Sequence, residues 1–134
     1  MDLVIEVAGE IVEEQELLNG TRTVTLSGAT ADGVWTLDGV VSWNRGLVEY
    51  AGEGDLTLAR DDGSEVYATL VRAVARDDAG EDDADVRLEV SYEVDGGVGE
   101  FERASGPMSG TVLIAAGAFA GRWATTDARD AGER

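Results

Sequence analysis

The chain has no cysteine, no histidine and no lysine. Without cysteine it forms neither a disulfide nor a thiolate nucleophile. Without histidine it cannot assemble a Ser-His-Asp or Cys-His site or a His-ligated zinc centre, and without lysine it cannot form a Schiff base. Asp, Glu and Tyr are left as proton-transfer groups, with Arg, Asn, Ser and Thr as fixed donors. No apolar run approaches the length of a membrane helix, and Met1-Asp2-Leu3-Val4-Ile5-Glu6 lacks the basic start and continuous apolar stretch of a signal peptide. A cytoplasmic location is therefore expected. All ten basic residues are arginine and face 28 acidic ones, for a net charge of −18. Such a surface repels phosphate backbones and anionic lipid, so neither nucleic acid nor membrane is an expected partner. High net charge of this kind instead serves solubility.

What the sequence does contain is β-structure. From Thr21 onward, runs of Val, Leu, Thr, Trp and Tyr are broken by Gly and Asp at hairpin intervals. The expected strands are Leu3 to Ala8, Arg22 to Gly28, Val34 to Trp43, Leu47 to Arg60 kinked at Gly52 and Gly54, Glu65 to Arg76, Val86 to Asp95, Met108 to Ala116 and Ala118 to Thr126. Residues 10–18 read equally as one or two helical turns or as an extended continuation. Asp61-Asp62-Gly63-Ser64 is a strong turn. Residues 1–126 form one domain and 127–134 a polar tail. Eight strands close into a small, mainly antiparallel, calycin-like barrel, wide enough for side chains or one small ligand.

Two strands carry opposite messages. Val86, Leu88, Val90, Tyr92 and Val94 alternate with Arg87, Glu89, Ser91, Glu93 and Asp95, so that strand has one wet face. Residues 66–75 are apolar on both faces, which calls for a cover outside the barrel, most simply a second subunit in a homodimer or homotrimer. Between them, Asp77 to Asp85 is an acidic connection without the ligand order of a calcium loop, so no metal is expected there.

Asp95 to Gly110 holds five of the eighteen glycines and the only proline, Pro107. Its glycines suit a kinked or positive-φ turn, and Pro107 is excluded from a fully paired strand position. Gly96-Gly97-Val98-Gly99-Glu100-Phe101-Glu102-Arg103-Ala104-Ser105-Gly106 resembles the G-G-x-G-x-(Phe/Tyr)-x-x-A-x-G turn of the allene oxide cyclase-like barrels, which include dirigent proteins and small microbial cyclases. Val98 stands where Thr is usual and Arg103 where Gly is common. The resemblance implies a barrel that steers cyclisation or isomerisation of a reactive, polyketide- or lipid-like intermediate, without metal or organic cofactor. None of that family's catalytic residues carries over. The alternative is a non-catalytic barrel that binds a hydrophobic ligand or assembles into oligomers.

The aromatics mark a candidate interior pocket for an apolar small molecule. Trp35, Leu37, Val41 and Trp43 share one strand face, and Phe119, Gly121 and Trp123 another. A glycine between two rings leaves room for a ligand. Trp35, Trp43, Tyr67, Phe119, Trp123 and Met108 are the expected substrate-binding residues, and Tyr92, Tyr50 and Glu49 the expected catalytic ones, because buried hydroxyls need partners and Glu49 lies with Asn44 and Arg45 at a strand end suited to a barrel mouth.

Overall fold

Alternating apolar residues produce nine strands and no α-helix among the residues described by the computed structural model, which are 3–17, 20–44, 49–50, 54–76, 86–115 and 117–125. Glu49, Tyr50 and Arg76 are described through their backbone alone. The strands are β1 (Val4–Glu16), β2 (Thr21–Thr30), β3 (Trp35–Asn44), β4 (Glu49–Tyr50), β5 (Asp55–Arg60), β6 (Glu65–Arg76), β7 (Val86–Val98), β8 (Gly106–Ala115) and β9 (Ala118–Thr125). Each barrel strand pairs antiparallel with both neighbours in the order β1-β2-β3-β5-β6-β7-β8-β9, and β9 returns to β1. The result is the expected closed eight-stranded antiparallel barrel. The short β4 lies against Ala73 and Val74 of β6, beyond the stretch of β6 that β5 covers.

Residues 10–16 resolve in favour of the extended reading, for β1 runs through Glu16 against β2. Pro107 fits its constraint: it pairs with Glu93 of β7, while the β8–β9 ladder begins one residue later at Met108. Gly52, the acidic connection Asp77 to Asp85 and the tail 127–134 lie outside the described residues.

The doubly apolar β6 has a different cause from the one expected. Val66, Ala68 and Leu70 point inward, and a register shift between Leu70 and Arg72 then leaves Val71 as an extra residue, 52% exposed. After that bulge the phase is reversed, and Ala73 points inward. Both apolar sets thus reach the interior by turns, and Tyr67 and Val71 are the large apolar residues of β6 that stay exposed.

The end of the barrel that holds the β2–β3, β5–β6 and β7–β8 connections is plugged by the glycine-rich turn. β7 passes into a 3₁₀ turn at Gly99–Phe101, where the Phe101 ring meets Trp35 at 5.6 Å between centroids. Arg60 lies over both rings, at 5.0 Å from Phe101 and 5.7 Å from Trp35. Its guanidinium also donates to Asp62 at 2.7 Å and Glu100 at 2.5 Å. Two glycines permit this approach for separate reasons. A Cβ on Gly97 would lie 2.3 Å from the Glu65 carbonyl oxygen, whereas Gly99 has φ of +69° and a Cβ there would meet Ser64 Oγ at 2.8 Å.

Gly97→Ala and Gly99→Ala are each expected to destabilise the fold by about 1–3 kcal/mol, and the exposed Glu102→Ala by less than about 0.5, in chemical denaturation. Equal effects from all three would show that the turn bears no close packing.

A second expectation concerns acid. Hydrogen bonds from Arg60 and from the Ser64 backbone N–H hold the Asp62 carboxyl well below the usual carboxylate range. A depressed folded-state pKa contributes stability that is present above about pH 4 and lost as pH falls further. The wild type should therefore lose more stability than Asp62→Asn between about pH 5 and pH 2, measured by denaturation at both values. Equal losses would show that the pair is uncoupled from folding.

Candidate functional site

The inward residues fill the barrel. Trp43, Met108, Leu56, Val66 and Val24 are 1% exposed, and Leu37, Leu58, Leu88, Val112 and Trp123 are fully enclosed. The room expected beside Gly121 is occupied by the chain itself. A Cβ on Gly121 would lie 2.5 Å from Cη2 and 2.6 Å from Cζ3 of Trp123, so the indole folds back over the glycine two residues before it. The far edge of the same ring reaches Gly110, where an added Cβ would lie 2.9 Å from Cδ1. Phe119 meets Trp123 edge-on at 6.4 Å and 80°. The glycine gap thus seats a tryptophan and does not open a ligand cavity.

The expected site residues separate. Trp43, Trp123, Phe119 and Met108 share the interior with Tyr92, while Trp35 sits at the plugged end under Arg60. Tyr67 is a correction: it lies on the outer face, 36% exposed, and its hydroxyl donates to Glu65 at 2.6 Å. The inward places on that half of β6 belong to its neighbours Val66 and Ala68. The backbones of Glu49 and Tyr50 pair with Val74 and Ala73, and their side chains lie outside the described residues, as does Arg45. Asn44 is buried, with its Nδ2 donating to Thr21 Oγ1 at 3.0 Å. Burial, reinforced by the Asp55 carboxylate, pushes the Tyr92 phenol well above its ordinary pKa, so it is neutral and enclosed.

A concave site does exist, on the outside. A groove of about 470 Å³ crosses β8, β9, β1 and the end of β2, walled by Leu113, Ala120, Ala8, Ala29 and Ala31, with Arg122 and Glu6 at its rim. Ala8 and Ala120 are exposed and Leu113 is 47% exposed. Arg122 occupies the face opposite Trp123, as alternation requires, with its Nε 3.9 Å from Glu6. The signal for this groove was the outward Ala120, between the inward Phe119 and Gly121 of β9. Small apolar residues on a strand read as filler until register places Ala8 and Leu113 beside them.

Among the described residues, no cluster of three or more carboxylates stands ready to hold a metal ion, and no helix is long and apolar enough to cross a membrane. No protein-family model matches the chain, and no curated protein or solved structure matches it.

Because the indole covers Gly121, Gly121→Ala is expected to cost about 1–3 kcal/mol through overpacking. The neighbouring exposed Ala120→Ser should stay within about 0.5 kcal/mol. A silent Gly121→Ala in thermal or chemical denaturation would mean the ring lies elsewhere.

Proposed function

We propose that this barrel is a non-catalytic binding protein for an apolar small molecule, and that the ligand lies in the outer groove. The observation that carries this reading is the groove itself: about 470 Å³, apolar along its floor, with one arginine and one glutamate at the edge. Those are the size and lining of small-molecule sites, which are largely preformed and mostly apolar with a few polar groups. Cyclisation inside the barrel, which the allene oxide cyclase-like resemblance implies, requires a substrate to touch Tyr92. That phenol is 2% exposed, among side chains that would have to be displaced first. Displacing even one large core side chain costs about 3–5 kcal/mol, more than a small apolar ligand returns. The outer groove needs no such rearrangement.

The test uses 1-octanol as probe, followed by calorimetry and by thermal stabilisation. Binding in the millimolar range is expected, in line with about 4 kcal/mol for a ligand of that size. Leu113→Glu should abolish it, and Tyr92→Phe should leave it unchanged. Octanol binding that survives Leu113→Glu but is lost in Trp43→Ala would return the ligand to the interior and overturn the proposal. A wild type that sediments as an oligomer and becomes monomeric on Leu113→Glu would also overturn it, by showing that a second copy covers the groove.

A further inference from the structure

Cross-strand register aligns three outward rows on this side of the barrel, and together they describe the ligand more closely. The first row, Leu113, Ala120, Ala8 and Ala29, is the apolar floor. The second row is Glu89, Thr111, Arg122 and Glu6. In the third, Arg72 stands beside Ser91, Ser109 and Ala124. Over the second and third rows lies another trough of about 350 Å³, lined by Arg72, Glu89, Ser91, Ser109, Thr111 and Arg122. Thr111 and Arg122 line both troughs, so an apolar channel runs directly into a hydroxyl-bearing one.

Charge decides what the second trough accepts. Its lining carries two arginines, Arg72 and Arg122, against one carboxylate, Glu89, with Glu6 of the first trough standing beside Arg122 as the second. Arg122 stands 3.9 Å from Glu6, and Arg72 and Glu89 each already engage a partner. An anionic head meets guanidiniums that already engage partners, and the Glu89 carboxylate at close range. A cationic head meets two guanidiniums at close range, and the field of the more distant acidic residues, screened beyond roughly 8–10 Å at physiological salt, decides for neither sign. A neutral head escapes both penalties. Ser91, Ser109 and Thr111 each donate and accept, and the guanidinium and carboxylate edges add donors and acceptors. That mixture matches vicinal hydroxyl groups.

Resting on the outer-groove reading above, we propose that the ligand is an amphiphile with an apolar chain in the first trough and a neutral, hydroxyl-rich head, a sugar or polyol, in the second. The test compares octyl β-glucoside below its micelle concentration with octanoate, 1-octanol and free glucose by calorimetry. The glucoside should bind about tenfold more tightly than octanol or octanoate, which corresponds to about 1.4 kcal/mol, one or two net hydrogen bonds. Free glucose should show no measurable binding. In the double variant Ser91→Val with Ser109→Val the glucoside should fall to the affinity of octanol while octanol itself is unchanged. Those are outward strand positions where valine is well tolerated, and a melting temperature matching the wild type verifies the fold. Octanoate binding as tightly as the glucoside, or a glucoside no tighter than octanol, would overturn the head-group inference and leave the groove standing. Failure of both octanol and glucoside to bind would remove the groove reading and this inference with it.

Discussion

Closure between the first and last strands is the constraint on which the rest of the barrel depends. Leu3 and Thr125 are joined by backbone and hydroxyl hydrogen bonds at 2.9 Å across nearly the whole length of the chain. From there β1 and β9 pair through Glu10 and Ala118. Only when this seam forms do the inward faces of all eight strands meet, and only then is no barrel strand left with an open edge to recruit another chain. The seam also carries one of the two buried tryptophans, since Trp123 pairs with Ile5 across it and with Gly110 on its other side. Such distant pairing pays its loop-closure entropy before most of the packing is gained, which places this fold among the slower-folding topologies.

A ring of eight strands encloses a space that side chains can just fill, and here two tryptophans, a tyrosine, a methionine and a ring of leucines and valines fill it. The glycines facing them are the complement of those rings. Gly121 and Gly110 each give up a side chain so that one indole packs against both, which is the close interlocking expected of a protein interior. One consequence is chemical. With the phenol of Tyr92 neutral and enclosed, that side chain is not poised for proton transfer near neutral pH.

The sequence disclosed the barrel more readily than the site, for physical reasons that differ from strand to strand. β7 was legible because Val86 to Val94 keep strict alternation, with one face wet and one dry. β6 was misread in its surroundings, since its inserted Val71 reverses the phase halfway, and a bulge looks in sequence like a strand that is apolar on both sides. Gly121 was misread for a related reason. A missing side chain signals close approach, but sequence does not reveal whether a ligand or a neighbouring ring is what approaches. Arg60 carried no signal at all, because its partners Trp35, Asp62, Phe101 and Glu100 come together only once three connections meet at one end of the barrel.

The outer face of β8, β9 and the start of β1 differs from the rest of the surface in a way that composition hides. Acidic residues crowd the far half of β1, where Glu10, Glu13, Glu14 and Glu16 are exposed, and they recur on β7 as Glu93 and Asp95. Between these regions, register sets Thr111, Arg122 and Glu6 in line, so that opposite charges stand side by side and the field of each is largely cancelled within a few ångströms. An alanine-floored channel beside such a row presents apolar surface bordered by charges of opposite sign. Neutrality at that place is therefore a product of strand register acting on a strongly acidic sequence. A shift of one residue in the β8–β9 or β9–β1 pairing would put Arg122 out of line with Thr111 and Glu6 and turn Ala120 away from the channel.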